Sequence, residues 1–240
     1  MREEWITSRK NPLLVQIRRL ASSRGARRSA GMFLGDGAKL LEEALKWGAP
    51  LETVVYSEGL DGPELPPEVR TVRVPEDVMA SISPMESPQG ALFLCRMWDT
   101  APPPRLEGGR YLVLDGLQDP GNVGTIWRTA DALEADGLLL VHGCADPFGP
   151  KVVRATMGAC FRLPVWETGP ERLADLLERS GLALYATALR EDTEDIKTAD
   201  LSRSAVVIGS EGRGVSPELL AMSQRALKIP MRERCESLNA

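Results

Sequence analysis

Tyr111-Leu112-Val113-Leu114-Asp115-Gly116-Leu117-Gln118-Asp119-Pro120-Gly121-Asn122-Val123-Gly124-Thr125-Ile126-Trp127-Arg128-Thr129-Ala130-Asp131-Ala132 reads as an apolar strand, a tight turn and a helix in immediate succession. The strand occupies 111–114. Asp119 or Asn122 suits the helix cap, and Pro120 suits the first helical turn, where an N–H would have no intrahelical partner. From there Val123, Ile126, Trp127, Ala130 and Leu133 recur at helical spacing and form the expected core stripe. Arg128 falls on the opposite side with Gly121, Gly124 and Thr125, above a patch that has no bulky side chain. Helical side chains lean toward the helix N-terminus, so Arg128 is expected to project over the glycine turn, at the carboxyl edge of a sheet, where open α/β folds bind ligands. The segment alone fits two readings: a surface on which a substrate backbone lies close under an arginine, or an ordinary tight turn beside a solvated arginine. It does not fit a dinucleotide-binding turn, because Gly121-Asn122-Val123-Gly124-Thr125 lacks the GxGxxG spacing.

Outward from this segment, further strands at 137–141, 182–186, 205–208 and 226–229 alternate with helical patterns. Near-continuous apolar strands separated by helices imply a mostly parallel sheet covered on both faces. Upstream, 99–109 contains Pro102, Pro103, Pro104, Gly108 and Gly109, which favour an extended and fairly stiff connection. Before it come a helix over 11–20, a polar basic loop over 22–31, a strand over 32–34 and a helix over 38–47 ended by Gly48. Strands at 53–56 and 69–74, a helix over 76–82 and a strand over 91–95 follow. The expected fold class is therefore α/β, with a small N-terminal α/β domain over 1–98, a Pro/Gly linker over 99–109 and a parallel-sheet domain over 110–240.

A chain of 240 residues has room for two modest cores. Its 43% hydrophobic and 26% charged residues are the composition of a soluble globular protein. No run approaches the roughly 18 apolar residues of a membrane span, and Met1-Arg2-Glu3-Glu4-Trp5 lacks the apolar core of a secretory signal, so a cytoplasmic location is expected. Cys95, Cys144, Cys160 and Cys235 form no CxxC pair and His142 is the single histidine, so no metal site is expected. The cysteines read as small buried hydrophobes and His142 as a residue at a strand end. A net charge of −5 argues against nucleic acid at first sight. Its distribution argues otherwise, because between 2 and 39 Arg2, Arg9, Lys10, Arg18, Arg19, Arg24, Arg27, Arg28 and Lys39 face only Glu3, Glu4 and Asp36. Charge alone fits either RNA contact or a solvated helix face with a loop.

Two more segments carry chemistry. In Val206-Val207-Ile208-Gly209-Ser210-Glu211-Gly212-Arg213-Gly214-Val215-Ser216-Pro217-Glu218 a buried strand enters a glycine-rich turn, and Ser216 and Pro217 start the next helix. Glycines free to take positive φ expose backbone N–H and C=O groups that can hold a base edge or ribose hydroxyls, and Glu211 adds a carboxylate. A plain βα turn is the other reading. In Ile229-Pro230-Met231-Arg232-Glu233-Arg234-Cys235-Glu236-Ser237-Leu238-Asn239, Ile229 and Met231 can wall an apolar pocket while Ser237 and Asn239 supply short donors and acceptors.

In this order and separation the three segments resemble the motifs of the SpoU/TrmH family of SPOUT methyltransferases, and Pro150-Lys151-Val152-Val153-Arg154-Ala155-Thr156-Met157-Gly158-Ala159 resembles the stretch between the first two. Ile6-Thr7-Ser8-Arg9-Lys10-Asn11-Pro12, Phe33-Leu34-Gly35-Asp36-Gly37 and Ser87-Pro88-Gln89-Gly90 resemble the family's substrate-binding domain. The resemblance implies a parallel sheet with a C-terminal trefoil knot, a homodimer, S-adenosylmethionine as cofactor, and methyl transfer to a ribose 2'-hydroxyl of RNA, with 23S ribosomal RNA favoured over transfer RNA. It assigns catalytic roles to Arg128, Asn122, Glu211, Ser237 and Asn239. The cofactor pocket it implies comprises Thr187, Ala188, Leu189, Gly209, Ser210, Glu211, Gly212, Ile229, Met231 and Leu238. In that context Arg9, Lys10, Arg24, Arg27 and Arg28 are expected to contact RNA phosphates. The family's further helix after Ser-Leu-Asn is missing from a sequence that stops at Ala240. A non-catalytic RNA-binding protein on the same fold is the competing reading; a nucleotide-dependent oxidoreductase lacks its phosphate loop.

Overall fold

The computed structural model describes residues 4–188 and 192–232. In chain order the first elements are β1 (Glu4–Trp5), α1 (Pro12–Ser22), α2 (Arg24–Ala30), β2 (Met32–Asp36), α3 (Ala38–Lys46), β3 (Leu51–Ser57), β4 (Arg70–Val74), α4 (Glu76–Ile82) and β5 (Ala91–Arg96). They are followed by β6 (Arg110–Asp115), α5 (Pro120–Ala132), β7 (Gly137–Val141), α6 (Pro150–Ala155), β8 (Val165–Glu167), α7 (Pro170–Ser180), β9 (Ala183–Thr187), β10 (Glu194–Asp195), β11 (Ser204–Gly209), α8 (Pro217–Met222) and β12 (Arg225–Lys228). The chain forms two compact units, Met1–Trp98 with Asp146–Arg162, and Asp99–Ala145 with Leu163–Ala240.

The first unit is built on a five-stranded sheet in the order β1-β4-β3-β5-β2, with β3 and β4 parallel and β5 antiparallel to both β3 and β2. Helix α1 starts where the sequence predicts, because the Asn11 side chain accepts a hydrogen bond from the Leu13 N–H at 2.9 Å and Pro12 opens the first turn. Its apolar face, Leu13, Leu14, Ile17 and Leu20, is buried in a core with Leu34, Val55, Val72, Leu92 and Leu94. The expected basic loop over 22–31 is instead helix α2. Ser23 caps it by accepting from the Ala26 N–H at 3.2 Å, and Gly31 at φ +62° ends it in the left-handed conformation.

The 146–162 segment lies in the first unit, although in sequence it falls inside the second half. Phe148 stacks within an aromatic cluster, 5.3 Å from Phe33 and 4.8 Å from Trp98 between ring centroids. Asp146, with a side chain 9% exposed, accepts from Arg27 Nε at 2.9 Å and Nη2 at 2.6 Å, and Arg162 pairs with Glu43. No sequence period marks these contacts.

In the second unit seven strands lie parallel in the order β10-β12-β9-β11-β6-β7-β8. The chain first builds outward from β6 through β7 to β8, then crosses to the other side for β9, so β6 and β11 flank the point where the order reverses. Their register runs from Ser204 beside Arg110 to Gly209 beside Asp115. Val113, Leu139, Val141, Leu184, Ala186, Ala205 and Val207 form the core with Leu173, Leu176 and Leu177 of α7. Trp127 is fully buried, and its indole N–H donates to the Leu163 carbonyl at 3.0 Å. The 99–109 stretch is tied into this unit: the buried Leu106 donates its N–H to Ser180 Oγ at 2.9 Å, and Arg172 donates to the Pro102 carbonyl. The strand pairs at β8 and β10 are too short to show a period in sequence. Among the described residues no helix is long and apolar enough to cross a membrane, and no group of acidic, cysteine and histidine side chains is placed to hold a metal ion.

Candidate active site

The carboxyl ends of β6 and β11 meet at the reversal point, where ligands bind in open parallel sheets. Asp119 is the cap of α5: its side chain accepts from the Asn122 N–H at 2.8 Å. The Asn122 side chain reaches across the edge, and its Nδ2 donates to Glu211 Oε1 at 2.6 Å. Two segments separated by 89 residues are thereby joined by their own polar side chains.

The 209–214 loop is folded tightly on itself. Ser210 N–H donates to the Gly214 carbonyl at 3.1 Å, Gly214 N–H returns to the Ser210 carbonyl at 2.8 Å, and Gly214 sits at φ +68°. A Cβ on Gly209 would lie 2.1 Å from the Gly214 carbonyl carbon, so only glycine permits this closure. On the neighbouring strand Thr187 Oγ1 donates to the Val207 carbonyl at 2.8 Å, and Ala188 N–H donates to the Leu227 carbonyl at 3.0 Å. Ile229, just beyond β12, is 48% exposed at the same carboxyl edge, and Met231 is half-buried.

Arg128 is exposed on α5, one and two turns beyond Gly124 and Gly121, and makes no hydrogen bond or ion pair among the described residues. The core stripe differs from expectation at two places. Gly124 is buried with Val123, Ile126, Trp127 and Ala130 instead of lying on the open face. Leu133, expected in the core, follows the last helical residue and is 70% exposed, because the chain turns there through Glu134 at φ +58°. It borders a mainly apolar groove of about 470 Å³ that includes Leu112, Ile126, Val206 and Ile208.

A second cluster holds the far end of the 209–214 loop. Buried Asp115 accepts from the Ser216 N–H at 2.6 Å through Oδ2, while its Oδ1 lies 2.6 Å from His142 Nδ1. His142 Nε2 lies 3.3 Å from Glu218 Oε2. The hydrogen bond to the Asp115 carboxylate holds the imidazole pKa above its ordinary value, against partial burial that acts to lower it. The sequence marks His142 only as a strand-end residue; its pairing with Asp115, 27 residues away, follows from the adjacency of β6 and β7. The described cysteines are buried, with the Cys95 and Cys160 thiols pushed up to about 12 by that burial, which removes them as nucleophiles at neutral pH.

Of the basic residues expected at RNA, Arg9 is exposed and pairs with Asp77 at 2.6 Å, Lys10 and Arg24 are exposed, and Arg28 lies over the Phe148 ring at 5.5 Å. Arg27 departs from the expectation. Its side chain is 6% exposed, paired with Asp146 and donating to the Leu20 carbonyl, so it is a buried structural cation unable to reach phosphate. Leu189, Ser237, Leu238 and Asn239, and the segment expected to thread the knot, lie outside the described residues.

Residues 109–240 match the model of the SpoU rRNA Methylase family, and 11–92 match that of an MRM3-like substrate binding domain. The chain belongs to the SpoU rRNA methylase family. This SpoU family member is 33% identical over 236 residues to the 23S rRNA (guanosine(2553)-2'-O)-methyltransferase RlmP of Bacillus subtilis, a match spanning 98% of this chain and 93% of that one. It is 31% identical over 250 residues to the 23S rRNA (uridine(2479)-2'-O)-methyltransferase of Streptomyces viridochromogenes, spanning 98% and 87%. Among solved structures it resembles the AdoMet-bound rRNA methyltransferase of Sinorhizobium meliloti, with a TM-score of 0.85 and 31% identity over 98% of this chain and 92% of that one. The N-terminal and C-terminal resemblances seen in sequence therefore belong to one family architecture.

Proposed function

We propose that this SpoU family member transfers the methyl group of S-adenosylmethionine to a ribose 2'-hydroxyl in 23S ribosomal RNA. The observation that carries the reading is the Asn122–Glu211 hydrogen bond, which joins the α5 turn to the glycine loop at the sheet's reversal point and leaves Arg128 exposed on the same helix. The edge also fits the cofactor. The glycine-rich turn over 209–214, beside Thr187 and Ala188, suits an adenine edge and ribose hydroxyls, and the exposed Ile229 suits the flat face of a base. Gly209, Ser210, Gly212 and Met231 would complete the holding surface, with Leu189 and Leu238. Bound there, S-adenosylmethionine supplies an electrophilic methyl on a sulfonium.

The remaining task of the protein is to align the hydroxyl and help it lose its proton. Guanidinium stays protonated in proteins, so Arg128 acts as a cation that stabilises the developing alkoxide and fixes a nearby phosphate, with the proton passing to phosphate or water. Asn122 and Glu211 hold the two loops in register; Ser237 and Asn239 orient the hydroxyl. Arg9, Lys10, Arg24 and Arg28 position the RNA through phosphate contacts. The enzyme acts in the cytoplasm as a homodimer with the C-terminal knot of its family, and the apolar groove beside Leu133 supports the presence of an associating face.

Supplied with S-adenosylmethionine carrying a labelled methyl, the enzyme is expected to label unmodified 23S rRNA transcripts and to leave transfer RNA transcripts unlabelled. Labelling of transfer RNA alone would reassign the substrate. RNA binding with no label in either would favour the binding-only reading.

A further inference from the structure

The loop that closes the cofactor edge is gripped at both ends, and only one of the two grips includes an imidazole. Near its start Glu211 accepts from the Asn122 amide. At its end, Ser216 donates its N–H to Asp115, and the helix it caps carries Glu218. His142 sits between these two carboxylates, with Nδ1 at 2.6 Å from Asp115 and Nε2 at 3.3 Å from Glu218. The titratable groups facing the ring are Asp115 from β6 and Glu218 from α8.

Protonated, the imidazole donates from both nitrogens and joins β6 to α8. Neutral, it keeps one N–H; with that proton on Nδ1, the Nε2 lone pair faces the Glu218 carboxylate and that side of the clasp is lost. Backbone geometry supports a built arrangement, because His142 is held at φ +54°, a conformation uncommon outside glycine and maintained here by its surroundings. We infer that the protonated His142 clasp between Asp115 and Glu218 positions the 209–214 loop for S-adenosylmethionine, so that loss of the ring proton weakens cofactor binding. The inference rests on the reading of that loop as part of the cofactor pocket. His142 is a positioning residue, acting through the loop.

The direction follows from linkage. The folded-state imidazole pKa is raised above 6.5, so the clasp is fully formed below that value and is lost as pH rises through the raised pKa. Cofactor affinity is greatest on the acid side of the transition and falls across it. Reciprocally, bound cofactor must raise the His142 pKa further.

His142 is the only histidine in the chain, so an untagged sample gives a single set of imidazole resonances. Its titration followed by NMR, free and saturated with S-adenosylmethionine, is expected to shift upward on binding. Calorimetric affinity for the same ligand is expected to fall roughly five-fold across that window. His142→Asn, a residue that tolerates positive φ, removes this component and leaves only the titration of the ligand itself. An identical imidazole pKa with and without bound cofactor, or a pH dependence unchanged in His142→Asn, overturns the inference while leaving the pocket assignment intact. Absence of cofactor binding on the acid side of the transition overturns the pocket assignment and the inference together.

Discussion

Arg128→Ala is expected to lower kcat for methyl transfer by roughly 10²- to 10³-fold, the effect of removing one donor from a developing oxyanion, while S-adenosylmethionine affinity stays nearly intact. Arg128 is exposed and unpaired among the described residues, so its removal leaves no buried group unsatisfied and the fold is expected to tolerate it. Arg128→Lys keeps the charge but loses the planar fork that engages phosphate and alkoxide together, and is expected to restore only part of the rate. Single-turnover transfer measured beside calorimetric cofactor binding separates the two quantities. Substantial turnover in Arg128→Ala would remove this arginine from the chemistry; loss of cofactor binding would move it into the pocket.

Arg27→Ala is expected to act on stability instead of on RNA. The substitution strands the Asp146 carboxylate, whose side chain is 9% exposed, and breaking one side of a buried ion pair costs about 3–5 kcal/mol. Thermal or denaturant unfolding should report that loss. Charge reversal at Lys10, Arg24 and Arg28 should do the opposite, weakening RNA binding with a shallower dependence on salt, since fewer counterions are released. An unchanged salt slope in the reversed protein would remove these residues from the interface, and an Arg27→Ala protein of wild-type stability would contradict the structural assignment.

Arg27 also shows where sequence reading ends. Its neighbours Arg24, Arg28 and the flanking serines make 22–31 look like a solvated basic loop, yet Ser23 and Gly31 are caps, and the intervening turn buries one arginine against a carboxylate 119 residues away. A long-range ion pair leaves no local period. Phe148 is similar: it is drawn to Phe33 and Trp98, so 146–162 packs with a unit whose last strand ends at Arg96. By contrast, the strand, turn and helix from 111 to 132 were legible because each step is local. Apolar β-forming residues lead into a cap, a proline at the first turn and a 3.6-residue stripe, failing only at Gly124 and Leu133, where burial and the helix end override the wheel. Asn122 and Glu211 were identified by motif, but that they bond to one another depends on β6 lying beside β11. The Asp115–His142–Glu218 cluster was invisible for the same reason, each member sitting at the end of a different element.

The chemical position of the transferred methyl tests the central claim most directly. Ribosomal RNA from cells with and without the gene, or treated in vitro with the protein and S-adenosylmethionine, can be mapped for alkali-resistant linkages, which form only where a ribose 2'-oxygen is methylated. The account predicts one such linkage in 23S rRNA that depends on the gene and is lost with Arg128→Ala. A methyl group found on a base, or a 2'-O-methyl pattern identical with and without the gene, would contradict it.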